Sequence, residues 1–229
     1  MTQSTLKQLA QIKILSGLSE DQLRELAPLF TKYNFKRNQT LIAYREESDV
    51  VYFLCEGSVR TTLYSPSGKQ ISYQDLEPGD MFGEMAAIDN LPRSTHVIAL
   101  SGGELLFLSK DNFLHLIDHY PDVSRAVLLK MSKLVRFLCE RLYEYGVLSV
   151  GERVRAEILR IARQQGIQNG DTVLVDNLPT HEELASRLAT HREAITRELG
   201  NLEKSGVLFK KRNKLTILDI QALEQQLNN

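Results

Sequence analysis

Apolar positions along the chain change texture twice. Around residues 5–30 they recur at helical spacing, with Leu23, Leu26 and Phe30 following Ser19-x-x-Gln22, which has the form of a capping box. From about 35 to 108 short runs rich in β-branched and aromatic residues take over, at 40–44, 50–55, 58–63, 70–74, 95–99 and 105–108. Glu56-Gly57, Pro66-Ser67-Gly68, Pro78-Gly79-Asp80 and Ser101-Gly102-Gly103 separate these runs. Many short strands with regular turn signals predict a β-sandwich or β-roll. After Asp111 the pattern is helical again. Val127, Met131, Leu134, Leu138, Leu142 and Tyr145 fall three and four apart, approximating an a/d seam. Such spacing fits either a helix face packed on its own barrel or a dimer coiled coil, and the pattern leaves both open.

Gly146 is expected to end the long helix. Ser149-Val150-Gly151-Glu152 is a second capping box, opening a helix to about Gln164 that Gly166 and Gly170 close. A boundary near 146–149 follows, giving a sensor over 1–120, a connecting helix over 121–148 and a C-terminal domain over 149–229. There a third box, Thr180-x-x-Glu183, opens a helix from His181 to about Leu188. Ala189-Thr190-His191 breaks it, and a second helix runs from Arg192 to about Ser205, ended by Gly206. Ala185 is small where the two helices would cross, and Leu184, Leu188, Ile195, Leu199 and Leu202 supply an interior. Two helices joined by so short a turn form a helix-turn-helix.

Charge decides how that domain is read. The whole chain is nearly neutral, with 28 Lys and Arg against 29 Asp and Glu, so a nucleic-acid surface must be local. It is local: from Arg187 to Lys214 there are eight basic residues against three acids. The second helix begins with Arg192, Glu193, Thr196 and Arg197, where a helix-turn-helix reaches base edges. Arginine suits guanine O6 and N7, and glutamate accepts from cytosine N4. Lys210, Lys211, Arg212 and Lys214 follow in a β-like hairpin over 207–218, a wing for phosphates. Thr180, His191, Arg192, Glu193, Thr196, Arg197 and Lys211 are the candidate DNA contacts.

Other classes find less support. Cys55 and Cys139 are far apart and in no metal-ligand spacing, as in a reducing cytoplasm. Residues 1–11 form no secretory core, and no apolar run approaches a membrane span. No G-x-S-x-G occurs and neither cysteine has a neighbouring histidine, so nucleophilic catalysis is not indicated and no enzyme is expected. His115 and His119 are four apart, a zinc-compatible spacing, but lie outside the strand region and lack a third ligand, so no metal site is expected. His96 is a candidate haem ligand only by position.

The stretch Phe82-Gly83-Glu84-Met85-Ala86-Ala87-Ile88, with Pro92-Arg93-Ser94-Thr95 after it, carries the most specific chemistry. A glycine before a short helix lets backbone N–H groups approach an anion, and an arginine entering a barrel pairs with a phosphate. This stretch resembles the phosphate-binding cassette of the cyclic-AMP receptor branch of the bacterial regulators that also include the fumarate–nitrate regulator. The resemblance spans nearly the whole chain. It implies an α+β fold: an N-terminal double-stranded β-helix of jelly-roll type, a long dimerisation helix and a C-terminal winged helix-turn-helix. It also implies Gly83 and Glu84 at the sugar, with Glu84 on the ribose 2′-hydroxyl, and Arg93 and Ser94 on the cyclic phosphate, Met85 and Thr95 flanking them. The run His191-Arg192-Glu193-x-x-x-Arg197 is similar to the family's recognition helix and implies near-palindromic DNA with TGTGA-like half-sites. A homodimer in the cytoplasm is implied, with RNA polymerase open as a further partner and no membrane. The family's purine-facing positions fall on Leu134, Leu138 and Cys139, where the cyclic-AMP receptor has arginine, threonine and serine. The polar reading of adenine is therefore missing. Cyclic AMP is the first effector expected and cyclic GMP the second; a regulator of the same fold with another effector, or none, is the alternative, and a cyclic-nucleotide-binding regulatory subunit a further one.

Overall fold

The computed structural model describes residues 3–225 apart from 67 and 69, so Ser67 of the expected Pro66-Ser67-Gly68 turn lies outside the described residues. The chain divides into two compact units, Met1–Arg136 and Phe137–Asn229.

In the first unit the N-terminal segment is two helices, α1 (Gln3–Gln11) and α2 (Glu20–Leu26), not one. The capping box sets the start of α2: Ser19 accepts from the Gln22 backbone and the Gln22 side chain accepts from the Ser19 N–H. Strands β1 (Thr31–Phe35), β2 (Thr40–Ile42), β3 (Val51–Glu56), β4 (Val59–Tyr64), β5 (Gln70–Leu76) and β6 (Met81–Phe82) follow. A short helix α3 (Glu84–Asp89) precedes β7 (His96–Ala99) and β8 (Gly103–Leu108), and α4 (Lys110–His119) leads to the long α5 (Pro121–Val147). All strand pairs are antiparallel, in sheets of order β1-β8-β3-β6 and β2-β7-β4-β5.

Alternation along β3 and β8 organises the interior. Leu54 opposite Leu105 joins Ile42, Val59, Val97 and Ala99 of the second sheet in one core. Phe53 opposite Leu106 points the other way, into a core built with Leu9, Leu15, Leu26, Phe113, Leu116, Val123 and Val127. The first sheet is thus covered on both faces, by the second sheet and by helices, as period-2 alternation requires.

In the second unit α6 (Val150–Gln165) starts at the Ser149–Glu152 capping box. A hairpin of β9 (Ile167–Asn169) and β10 (Thr172–Val175), not expected from the pattern, precedes α7 (His181–Arg187) and α8 (Arg192–Lys204). Strands β11 (Leu208–Lys211) and β12 (Lys214–Ile217) and a last helix α9 (Ile220–Gln225) complete it, with sheet order β11-β12-β10-β9. Leu184, Ala185, Leu188, Ile195, Leu199 and Leu202 are all buried in its core.

One expectation about α5 needs correction. Gly146 does not end it, since helical bonding continues through Val147 and Leu148 N–H still reaches Glu144 O at 3.1 Å. The compact division falls inside the helix, at 136/137. An ion cluster accounts for this. Buried Arg141 donates to Glu144 at 3.0 Å and to Glu157 of α6 at 2.7 Å, and Arg160 pairs with both carboxylates. Arg187 of α7 reaches Glu157 at 3.4 Å, and the Tyr145 hydroxyl donates to Arg187 O at 2.7 Å. Buried charges are tolerated only when paired, so the last turns of α5 are tied to α6 and α7.

Candidate anion site and nucleic-acid interface

Where β6 runs into α3, the backbone pairs Tyr52 with Phe82 and then turns sharply at Gly83. Gly83 has φ +83°, a left-handed conformation that favours glycine. Space demands glycine as well: a Cβ there would lie 2.7 Å from Arg93 Nη1 and 3.0 Å from Val50 O. Arg93 is only 3% exposed. Its Nε donates to Ser48 Oγ at 2.8 Å, Nη1 to Gly83 O at 2.6 Å and Nη2 to Val50 O at 2.8 Å. Three of the five guanidinium N–H groups thus have acceptors, all neutral. Burial pushes the guanidinium below its ordinary value, against the opposing fields of Tyr52, Glu46, Asp49 and Glu84.

Glu84 begins α3 and is buried, accepting from Lys130 Nζ of α5 at 2.5 Å. Lys130 carries no signal in the sequence, because a lysine beside an apolar seam reads as a solvated residue. Only the fold brings it to Glu84. A guanidinium and a carboxylate therefore flank the Gly83 turn, one suited to a phosphate and the other to a hydroxyl. Met85 is largely exposed, and the exposed Ser94 hydroxyl lies 3.8 Å from its sulfur; Thr95 is half-buried. Leu134 is half-buried on α5, whereas Leu138 and Cys139 belong to the second unit and are exposed. His96, at the start of β7, accepts the Tyr44 N–H at 3.2 Å and stacks edge-on with Tyr64. Among the described residues no three metal-ligating side chains converge, and no helix is long and apolar enough to cross a membrane.

In the second unit the Thr180 capping box starts α7, which consumes the Thr180 hydroxyl: it accepts from Glu183 N–H and donates to the Glu183 carboxylate. The break between the helices turns at Ala189, φ 50°, and His191 caps α8 without using its side chain. Arg192, Glu193 and Arg197 stand exposed on α8, and among the described residues no hydrogen bond or ion pair engages their side chains. Thr196 is also exposed, but its hydroxyl donates to Arg192 O at 3.0 Å and lies 2.8 Å from His181 Nδ1. Two of the three nearby acids are engaged by neighbouring groups. Glu198 is buried and accepts from Arg155 at 2.8 Å, and Glu203 accepts the Lys210 backbone N–H. In the β11–β12 hairpin Lys211 opposes Lys214, with Lys211 and Arg212 exposed; Lys214 pairs with Asp176 at 2.7 Å. The outcome, among the described residues, is an exposed helix face of Arg, Glu and Arg without side-chain partners, beside a basic hairpin.

Comparison with known proteins matches two stretches of the chain to two domain families. Residues 32–120 match the cyclic nucleotide-binding domain, and residues 152–226 the Crp-like helix-turn-helix domain. The chain belongs to the Crp family of transcription regulators. A family relative, the "CRP-like cAMP-activated global transcriptional regulator" of Mycobacterium tuberculosis, is 24% identical over 95% of this chain and 97% of its own. The "Global nitrogen regulator" of Synechocystis is also 24% identical, over 84% of this chain and 86% of its own. Among solved structures, a CooA mutant from Carboxydothermus hydrogenoformans superposes with TM-score 0.81 at 18% identity, covering 95% of each chain, a likeness of fold. This Crp-family chain is thus a DNA-binding transcription regulator built from a β-roll, a long helix and a helix-turn-helix.

Proposed function

We propose that this regulator is a homodimer that reads near-palindromic DNA under the control of a cyclic nucleotide held at Gly83, Glu84 and Arg93. Arg93 carries the argument. It is a buried cation whose hydrogen-bond partners are all neutral, and it keeps donors to spare beside a glycine turn. A phosphate supplies a counter-charge in direct contact and accepts from a planar fork. Glu84 accepts a ribose hydroxyl, and Ser94, Met85 and Thr95 line the approach. The Mycobacterium tuberculosis relative, cAMP-activated by name, supports cyclic AMP as the first choice.

One observation favours a second effector class. Lys130 already occupies Glu84, and Leu134, Leu138 and Cys139 provide no strong hydrogen-bonding set for a purine. An anion with a hydroxyl and no base that needs polar reading fits that set better than a cyclic purine nucleotide does.

The dimer reading rests on α5. Val127 packs into its own core, so it leaves the expected seam, and Leu128 and Val135 take places in it. Leu128, Val135 and Leu142 are exposed at a spacing of seven, with Met131 and Leu138 between them at three and four and Tyr145 three beyond Leu142. A second copy of the helix covers this stripe. In the dimer two α8 helices enter successive major grooves about 34 Å apart, with Arg192, Glu193 and Arg197 on base edges, Lys211 on phosphate, and Thr180 and His191 at the edge of the contact. The effector acts by binding one of two states better than the other.

Titration calorimetry with cyclic AMP and cyclic GMP tests the reading, on the wild type and on Arg93→Lys, which keeps the charge and loses the fork. Saturable binding by one nucleotide, weakened about tenfold or more in the variant, supports it. No heat with either nucleotide rejects cyclic-nucleotide control.

A further inference from the structure

A chain of hydrogen bonds crosses the helix-turn-helix from the wing to the recognition helix. Lys210 of β11 approaches His181 Nε2 at the start of α7. On the other side of the ring Nδ1 lies 2.8 Å from Thr196 Oγ1 of α8. Thr196 in turn donates to Arg192 O at 3.0 Å. The partners fix the direction of every bond. An ammonium has only protons to give, so Nε2 accepts. The Thr196 proton is spent on Arg192 O, so its oxygen accepts and Nδ1 must carry the hydrogen. Only the neutral Nδ1–H tautomer satisfies both neighbours; a doubly protonated ring would set an N–H against the lysine. Burial, with the charges of Lys210 on β11 and Arg192 on α8, holds the ring below its ordinary value, in the direction that favours the neutral form.

We propose that His181 is a positioning residue for sequence reading: one arm holds the first turn of α8, which carries Arg192 and Glu193, and the other holds Lys210 of the wing. The ring touches neither base nor phosphate in this role. It keeps the base-reading helix and the phosphate-reading hairpin in a fixed mutual register, which two surfaces on one duplex need. The proposal rests on the DNA reading above.

The two arms are separable. His181→Asn leaves an amide nitrogen near the Nδ1 position and no group at Lys210; His181→Gln reaches the Nε2 position and abandons Thr196. The test uses full-length protein and duplexes enriched from a random pool by the wild type, with single base-pair substitutions under the α8 contact. His181→Ala is expected to lose about threefold to tenfold in discrimination between those duplexes, the effect of one hydrogen bond. His181→Asn keeps the discrimination but flattens the salt dependence set by the wing; His181→Gln keeps the salt dependence and loses the discrimination. Nitrogen chemical shifts of the free protein are expected to report the Nδ1–H tautomer. Equal loss of both properties in Asn and Gln variants, unchanged discrimination in His181→Ala, or an Nε2–H tautomer each overturns the proposal. A wild type that enriches no sequence overturns the DNA reading and this proposal together; a selective wild type with an equally selective His181→Ala overturns this proposal alone.

Discussion

Gly83→Ala probes the anion site without replacing a charged side chain. Two costs are expected. An alanine forced to φ +83° pays for the left-handed conformation, about 1–2 kcal/mol. Its Cβ would also sit 2.7 Å from Arg93 Nη1, and the other close neighbours, Val50 O at 3.0 Å and Ile42 Cδ1 at 3.1 Å, leave the guanidinium as the group that must move. Moving it breaks the 2.6 Å bond to Gly83 O or the 2.8 Å bond to Val50 O, each a charged hydrogen bond contributing about 1.5–3 kcal/mol. The sum is about 2.5–5 kcal/mol. Gly68 provides the control, because its φ is +80° but a Cβ there meets nothing within 4 Å. Gly68→Ala should cost only the conformational part, about 1–2 kcal/mol. Urea unfolding followed by far-ultraviolet circular dichroism measures both, since the chain has no tryptophan to report by fluorescence. A Gly83→Ala cost no larger than that of Gly68→Ala would show that Arg93 is not braced against this turn, and the site as described would be wrong.

Three other outcomes are expected. Lys211→Ala should lower the slope of log affinity against log salt by about one with unchanged sequence preference, whereas Lys214→Ala, already paired with Asp176, should change it less; binding assays at several salt concentrations decide. Leu142, 74% exposed in the α5 stripe, should hold the dimer, so Leu142→Asp should sediment as a monomer while remaining folded; a dimer of wild-type strength rejects the seam. Burial raises the Glu157 pKa, but Arg141, Arg160 and Arg187 outweigh it and hold the carboxyl below its ordinary 4.5. A depressed folded value means the stabilisation is present above about pH 4.5 and is lost as pH falls through the folded value. Glu157→Gln should therefore destabilise the second unit at neutral pH, by about 3–5 kcal/mol, and weaken its acid sensitivity; an unchanged pH profile in urea unfolding contradicts this.

Local signals make most of the fold legible. The Ser19, Ser149 and Thr180 boxes each open a helix at the residue expected, because their hydrogen bonds are satisfied within four residues. β1 leaves no such signal because four of its five positions are exposed, which hides its period-2 pattern. β6 has two residues, and its pairing with β3 is a tertiary event. The seam on α5 is displaced by one position at Val127 and Leu134: apolar residues on the dimer stripe and on the core-facing side of one helix are alike in type, and only packing sorts Val127 from Leu128. At the anion site Gly83, Glu84 and Arg93 are legible as a motif, but Ser48, Val50 O and Lys130 come from distant segments and need the fold. On the recognition helix the spacing shows which residues share a face. It does not show that Thr196 is bonded to His181 while Arg192 and Arg197 have no side-chain partner among the described residues.

Effector-dependent DNA binding is the central claim, and one titration tests it most directly. A labelled duplex with two TGTGA-like half-sites is titrated with the full-length protein, followed by fluorescence anisotropy, without nucleotide and with saturating cyclic AMP or cyclic GMP. Affinity for this duplex that exceeds affinity for a scrambled one, and that rises about fivefold or more with one nucleotide, is the predicted result. Equal affinity with and without both nucleotides would contradict the account, leaving a regulator whose signal is not a cyclic nucleotide.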